Sequence, residues 1–433
     1  MKFIDLFSGI GGFRTAMENN GHECIAYSEI DKYAKQSYQA MYDTENEIDL
    51  GDITNISQEY LSHFKKDNDM VVGGSPCQAF SVAGKQAGFE DTRGTLFFEY
   101  AKVVKETQPK YFLFENVKGL MSHNKGNTIR VVLETFNELG YCIDFNVFNS
   151  KYYGVPQNRE RIYILGKRKD LVEQPKYHDK TKGKKKFDEI HNWAVDNINY
   201  VELLPPLQTE VTTRLIDVLE DEVDEKYYLS DEKTKKLTLE LNNSGNKTFS
   251  YNRKEGLKSE IDIAHTINQS DYRGLNRNQD QNCVVIPVLT PDRINKRQNG
   301  RRFKNNGEPM FTLTSQDRHG IAIREATKKG YAIAERGDSV NYTYPNSTTR
   351  RGRVGKQVAQ TLQAGEVNQG VVMNDIRIRK LVPIETWRLQ GFTDEQFYKA
   401  KNSGVSNSQL YKQAGNSVTV NVVDYIVKNV IKG

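Results

Sequence analysis

Cys77 follows a proline in the run GGSPCQAFSVAGKQAGFEDTRGTLFFE (Gly73–Glu99), a stretch too polar to be core. A lone cysteine is most often a small buried hydrophobe. Here Gly73, Gly74, Ser75 and Pro76 hold it in an exposed turn, where a thiolate can act as a nucleophile. The next reactive groups come in ENVKGL, which sets Glu115 and Asn116 at the end of an apolar segment. QNRERIY (Gln157–Tyr163) adds Arg159 and Arg161, which suit an anion or a carbonyl oxygen, although arginines at such places are often plain surface charge.

A second group of residues points to a nucleotide-like ligand. DLFSGIGG (Asp5–Gly12) places glycines where a ligand can approach the backbone at a helix N-terminus. The spacing is not G-x-G-x-x-G, so a dinucleotide fingerprint is excluded, and a simple tight turn is the competing reading. Glu29 in SEIDKY and Asp52 in GDIT are carboxylates at strand ends. One at the end of a second strand suits a ribose diol, while either can also be an ordinary surface group.

Strands and helices that alternate must position these groups. The pattern predicts strands at Lys2–Phe7, Cys24–Ser28, Asp69–Gly73, Tyr111–Glu115 and Arg161–Gly166. It predicts helices from the glycine turn through Ala16, from Asp31 towards Met41, and at Leu96–Thr107 and Thr128–Leu139. Such alternation implies a parallel sheet covered on both faces, with ligands at the carboxyl ends of the strands. Cys77 and Glu115 then end neighbouring strands and can face one substrate.

After Gly166 the alternation stops. The run Lys182–Phe187 and the pair Pro205–Pro206 read as linker, followed by some two hundred residues rich in Asn, Gln, Gly, Arg and Thr. Alternation resumes at Arg377, and VTVNVVDYIVKNVI ends the chain as a helix. An α/β domain is thus interrupted by a polar insert. Inside the insert, Ala264–Ile286, Met310–Ile323 and Ala359–Met373 share one layout of Thr with Ile or Leu, a Gln-containing loop and a β-branched strand. Arg301, Arg302 and Lys304 precede the second of these, and Arg350, Arg351, Arg353 and Lys356 the third. Both readings stand here: three hairpins of one β-rich domain, or three repeated DNA-contact units.

At 433 residues the chain accommodates two domains, and its net charge of +5 permits a nucleic-acid partner without requiring one. No apolar run approaches the ~20 residues of a membrane helix, and the first residues lack a secretion-signal pattern. A cytoplasmic protein is expected. Cys24, Cys77, Cys142 and Cys283 form no C-x-x-C pair, and the 7 histidines show no ligand spacing. No disulfide framework and no metal are therefore expected.

With these motifs assembled, the sequence resembles the bacterial and phage DNA cytosine-5 methyltransferase family. DLFSGIGG looks like its first cofactor motif, GGSPCQ its nucleophile motif, ENV its acid motif and QNRERIY its arginine motif. RLQGF and AGNSVTVNV look like its closing motifs. They stand in the family's order, with the variable recognition region between QNRERIY and RLQGF. The resemblance covers about residues 1–170 and 377–433.

It implies a doubly wound, Rossmann-like methyltransferase domain over 1–170 plus 377–433, and a smaller, polar, β-rich target-recognition domain over 171–376. It also implies methyl transfer from S-adenosylmethionine to carbon 5 of cytosine in specific double-stranded DNA sequences, leaving S-adenosylhomocysteine. The base would flip out of the duplex. Cys77 would add to carbon 6, Glu115 would hold or deliver a proton at N3, Arg161 would contact O2 and Arg159 would support the site. Phe7, Ser8, Gly9, Ile10, Gly11 and Gly12 would form the cofactor loop, with Glu29 on the ribose hydroxyls and Ile30 beside it. Asp52 and Ile53 would hold the adenine, and Pro76, Leu96, Asn416, Ser417 and Val418 would close the pocket.

Gln78, Ser81 and Arg93 would belong to a lid and phosphate clamp, while Arg301, Arg302, Thr312, Arg351, Arg353 and Thr361 would meet DNA. Ala83 departs from the pattern, since some relatives have a serine there to fill the gap left by the flipped base. A monomer is expected. Pairing with a restriction enzyme of the same site and an orphan or phage-borne role both stand open. Two rival functions are weighed: a tRNA-directed enzyme, against which the long insert argues, and an inactive DNA-binding protein on the same fold, against which the intact reactive residues argue.

Overall fold

The computed structural model describes residues 1–76, 96–228, 321–327, 330–345, 347, 349–363, 369–373 and 378–431, and the backbone alone at 248–252, 256–261, 281–283 and 320. The chain forms two compact units. The first is Met1–Arg214, Thr361–Glu366 and Pro383–Gly433; the second is Leu215–Gln360 and Val367–Val382.

The first unit is built on strands β1 (Lys2–Leu6), β2 (Glu23–Ser28), β3 (Ile48–Asp49), β4 (Met70–Gly73), β5 (Tyr111–Val117) and β6 (Tyr141–Asn149), then a short β7 (Gln157–Asn158) and β8 (Glu160–Arg168). The main sheet has the order β3-β2-β1-β4-β5-β8-β6. From β3 to β5 neighbours are parallel, whereas β8 runs antiparallel to both β5 and β6. The expected all-parallel sheet is therefore corrected at one edge. The chain reaches β8 from β6 through residues 150–159, which hold a single 3-10 turn and β7 but no α-helical crossover, so the two strands pair antiparallel. The strand order turns back between β1 and β4, which opens a crevice at their carboxyl ends.

Central strands such as MVVG in β4 are apolar on both faces because helices cover both. On one side lie α3 (Gln58–Ser62), α4 (Leu96–Thr107), α5 (Asn127–Glu138) and α6 (Lys186–Asn197). There Phe97, Tyr100, Phe112, Phe114 and Phe136 form the core, with Phe112 stacked on Phe136 at 4.1 Å and Tyr100 edge-on to Phe114 at 5.0 Å. Each such pair adds about 0.5–1.5 kcal/mol beyond area burial. On the other side α1 (Gly12–Asn19) packs on the C-terminal helix α10 (Val420–Val430). Between them in sequence come α2 (Lys32–Met41), α7 (Pro383–Arg388), α8 (Asp394–Asn402) and α9 (Asn407–Asn416), with α2 packed on α8. The C-terminal return is thus wholly helical, and it begins at Pro383 rather than Arg377.

Beyond the short β3 and α3, which the pattern does not predict, two longer elements depart from it for a physical reason. Tyr141–Asn149 was not expected as a strand because Asp144 and Asn146 interrupt its apolar run. Asp144 is buried and accepts from the Leu203 and Leu204 amides at 2.8 and 2.7 Å, so the polar group is satisfied inside. Lys182–Phe187 was expected as linker, yet Lys186 and Phe187 open α6. That helix buries Ile190, His191 and Ala194, and it carries the first unit on to Arg214 instead of 170.

The second unit is β-rich. β9 (Thr248–Asn252), β10 (Gly256–Ile261) and β11 (Gln281–Cys283) make one antiparallel sheet, and β12 (Gly320–Arg324) pairs with β13 (Tyr331–Glu335). β14 (Ser339–Asn341), β15 (Val354–Gly355), β17 (Gln369–Val372) and β18 (Ile378–Lys380) form another sheet, while the short β16 (Ala359–Gln360) lies between β15 and β17 in sequence. Ile321, Ile323, Ala334, Val340, Tyr342, Val372 and Ile378 are its core. No helix among the described residues is long and apolar enough to cross a membrane.

Candidate active site and cofactor cradle

The glycine loop leaves β1 through left-handed backbone at Phe7, Gly9 and Gly11, with φ of 53°, 56° and 79°. Two glycines are also required by contact. A Cβ on Gly11 would lie 2.5 Å from the Tyr42 ring, and one on Gly12 would lie 2.7 Å from Val418 Cγ2. Around Gly9 a Cβ would meet nothing within 4 Å, so the loop is open there to a ligand. Ser8 Oγ is buried without a hydrogen-bond partner among the described residues.

Glu29, just beyond β2, accepts three backbone amides. Oε1 takes those of Ile30 and Asp31 at 2.8 and 2.7 Å, and Oε2 takes that of Gly9 at 2.7 Å. Each carboxylate oxygen has about two acceptor positions, so Oε2 keeps capacity for a hydroxyl. Ile30 beside it is 72% exposed, an unusual state for a large apolar side chain in such a crevice. Asp52 Oδ1 accepts from Thr54, which draws its carboxyl below the ordinary range, and Ile53 is buried behind it. Val418 and Ser417 are buried, and Asn416 is exposed. Leu96 is half-buried at the start of α4.

Asp31, where the sequence pattern starts this helix, caps α2 through the amides of Tyr33 and Ala34 and is bridged by Lys412 at 2.7 Å.

The acid and the arginines meet at the carboxyl end of β5. Glu115 is 8% exposed, and burial pushes its carboxyl above the usual range, partly opposed by the Arg161 and Arg159 charges. Arg161 Nε stands 3.2 Å from Glu115 Oε1, too poorly aimed to bond, so Oε1 keeps an unused acceptor position. A Cβ on Gly74 would lie 2.8 Å from Glu115 Oε2, and Asn116 Nδ2 donates to the Ser75 carbonyl at 3.0 Å. The Gly74–Pro76 turn is therefore fixed directly against Glu115 and Asn116.

Arg159 is buried, and desolvation lowers its guanidinium to about 10, with the Arg161 charge adding to the effect. It donates to the carbonyls of Gly415 and Ser417 at 3.2 and 2.7 Å, which fastens the end of α9 to the site.

Cys77, Gln78, Ser81, Arg93, Arg301, Arg302 and Thr312 lie outside the described residues, as do most of the first echo and the Thr-Leu half of the second. In the second unit Arg351 is exposed and its Nε donates to the Ala326 carbonyl at 2.8 Å. Arg353 is a correction. It is 0% exposed, and its guanidinium donates to the carbonyls of Asn341, Thr343 and Tyr344, so it braces a loop and is not available to DNA. Thr361, in the first unit, donates from Oγ1 to the Asn158 carbonyl at 2.8 Å, and the Leu362 amide reaches Gln157 Oε1 at 3.3 Å.

Comparison with known proteins gives the family and the fold. The chain matches the family model described as C-5 cytosine-specific DNA methylase over residues 1–322 and 304–432. It is 42% identical over 478 residues to orphan methyltransferase M.SPRI of Bacillus phage SPR, covering 100% of this chain and 97% of that one. It is 31% identical over 430 residues to type II methyltransferase M.HhaI of Haemophilus parahaemolyticus, covering 99% and 94%. Among solved structures, a putative DNA modification methyltransferase encoded within an E. coli prophage aligns with a TM-score of 0.51 at 21% identity, with 100% of both chains covered. S. pombe Dnmt2 gives 0.50 at 16%, covering 100% and 98%; both show the same methyltransferase fold. With a family model that matches most of its length and a relative 42% identical over the whole chain, the chain belongs to the C-5 cytosine-specific DNA methylase family.

Proposed function

We propose that this enzyme methylates cytosine at carbon 5 within specific double-stranded DNA sequences, through a covalent adduct with Cys77 and with S-adenosylmethionine as the methyl source. The observation that carries the reading is the buried Glu115 carboxyl, held against the turn that leads into Cys77.

The cradle fits the cofactor: an open glycine loop, an unpartnered Ser8 hydroxyl, spare capacity on Glu29 Oε2 for a ribose hydroxyl, and exposed Ile30 for an adenine face. Asp52 and Ile53 would hold the adenine edge, while Leu96, Pro76, Asn416, Ser417 and Val418 would border the rest. Bound there, S-adenosylmethionine supplies an electrophilic methyl on sulfonium.

Carbon 5 of cytosine is too weak a nucleophile to take that methyl unaided. Cys77 as thiolate adds to carbon 6 and places electron density on carbon 5. Burial raises the Glu115 carboxyl above its usual range and so favours the acid form, which can donate at N3 while charge arrives from Cys77. Arg161, 3.2 Å from Glu115, would contact the base O2, and buried Arg159 would orient the site from behind. Once carbon 5 has taken the methyl, loss of its proton to a base expels Cys77 as thiolate, and Glu115 recovers the N3 proton. Extrusion of the base costs a few kcal/mol, which pocket contacts offset, and Gln78, Ser81 and Arg93 would close over it.

Arg301, Arg302, Thr312 and Arg351 are assigned to DNA contact, and Thr361 to the junction with Asn158 described above. The reading favours an orphan enzyme, since M.SPRI is an orphan methyltransferase; a cytoplasmic monomer is proposed with it.

The test is bisulfite sequencing of DNA from cells that lack other cytosine methylation and express the protein. Protected cytosines should recur in one or a few sequence contexts, and Cys77→Ala should abolish them. Labelled methyl recovered in tRNA with none in DNA would overturn the reading.

A further inference from the structure

We infer that Tyr42 is a positioning residue for the cofactor loop, the last member of a directed hydrogen-bond chain from Gln396 through Thr15 to the carbonyls of Ile10 and Gly11. The inference rests on the reading of this loop as the S-adenosylmethionine cradle.

The loop needs support because Phe7, Gly9 and Gly11 all take left-handed backbone. Glu29 restrains one side through the Gly9 amide. On the other side Tyr42 Oη lies 2.9 Å from the Gly11 carbonyl, 3.2 Å from that of Ile10 and 2.6 Å from Thr15 Oγ1. Donor chemistry fixes the direction of the chain. Gln396 Oε1 accepts from the Thr393 amide at 3.0 Å, so its Nε2 is the group that faces Thr15 Oγ1, also at 3.0 Å. Nε2 can only donate there. The Thr15 hydroxyl accepts from it and passes its own proton to Tyr42 Oη, which leaves the single Tyr42 proton for the two carbonyls.

Position is also fixed around the ring. The Arg14 guanidinium sits 4.4 Å from the Tyr42 centroid, and the Tyr38 ring 4.9 Å from it. Enclosure of the phenol pushes its ionisation above the ordinary range, which favours its donor form. Tyr42 is the residue at which α2 ends, and Glu29 and Asp31 stand where it begins. The helix therefore brackets the cofactor loop with both of its ends. Without the Tyr42 proton the loop would relax, and cofactor binding would bear the cost of ordering it again.

The decisive variant is Tyr42→Phe, which keeps the ring and removes the hydroxyl. Calorimetry should show S-adenosylmethionine binding weakened about three- to tenfold, the worth of one net hydrogen bond. In the ligand-free protein, the amides of Gly9–Gly12 should exchange hydrogen faster. The kcat at saturating cofactor and the DNA affinity should not move. Thr15→Val breaks the chain one link earlier and should shift affinity and exchange in the same direction, whereas Thr15→Ser should restore both. The double variant should be no worse than Tyr42→Phe alone, because both changes act on one chain.

A Tyr42→Phe protein with a lowered Tm but unchanged cofactor affinity and loop exchange would overturn the inference. If Tyr42→Phe fails to fold, the Thr15 pair decides by the same readings. Failure of the unaltered protein to bind S-adenosylmethionine would instead sink the cradle reading, and loop exchange would still judge Tyr42.

Discussion

Glu115 and Glu29 are both carboxylates at strand ends, yet their surroundings give them opposite tasks. Burial raises the Glu115 carboxyl, and the nearby arginines offset only part of that. Its acid form therefore persists to higher pH than an exposed glutamate's, and a step that needs the acid form should slow as pH rises through the elevated value. The single-turnover methylation rate should show that alkaline fall. Glu115→Gln should remove it and slow the reaction by roughly 10²–10⁴-fold, the usual worth of a general acid, without loss of cofactor affinity. An unchanged rate in that variant would take the proton away from Glu115.

Glu29 works as an acceptor, already engaged by the amides of Gly9, Ile30 and Asp31. Glu29→Ala should weaken S-adenosylmethionine binding by about 1–3 kcal/mol in calorimetry, since a loop restraint leaves together with a ligand contact. Weakened DNA binding with cofactor affinity intact would reverse that assignment. Glu115, Arg161 and the glycine loop were legible from residue type and spacing. Tyr42 was not, because a tyrosine at the end of a helix has no motif and its meaning comes from carbonyls about thirty residues away.

Among the elements, those carried by strong apolar periodicity were legible and those shaped by buried polar groups were not. Leu96–Thr107 was expected as a helix and is one, because Phe97, Tyr100, Ala101, Val103 and Val104 recur on its inner face. β6 was missed because Asp144 reads as a surface residue until the amides of Leu203 and Leu204 are seen to satisfy it. Similarly, α6 was hidden behind a lysine run, and Arg353 read as a phosphate contact because sequence cannot show that carbonyls enclose it.

Arg159 links elements that are far apart in sequence. From the turn before β8 it holds the carbonyls of Gly415 and Ser417 at the end of α9. Two hydrogen bonds from a buried charge are worth about 1.5–3 kcal/mol each. Arg159→Ala should lower the Tm and weaken cofactor binding together, because Asn416 and Val418 depend on the same fastening. Lysine lacks the planar fork that reaches both carbonyls and should recover little. Weaker catalysis with an unchanged Tm and unchanged cofactor affinity would assign Arg159 to the substrate instead.

Across the whole molecule, the two-unit plan follows the interruption visible in the sequence, although the first unit takes in residues up to Arg214 and reclaims Thr361–Glu366. That reclaimed segment changes what the third echo is expected to do. Thr361 and Leu362 are tied to Asn158 and Gln157, which open the arginine motif, so Thr361→Val should lower methylation at every target sequence alike. A change at Thr312–Leu313 should alter the choice of sequence, which bisulfite maps of the two variants would distinguish. Loss of a single sequence with Thr361→Val would return that segment to recognition.

Cys77 should bond covalently to the target base, and DNA carrying 5-fluorocytosine at the target can trap that bond. Fluorine at carbon 5 blocks the proton loss that would release the enzyme. With S-adenosylmethionine present, the protein should form a complex with this DNA that survives denaturation, and Cys77→Ala should form none. Methylation of ordinary DNA by the Cys77→Ala protein would contradict the account.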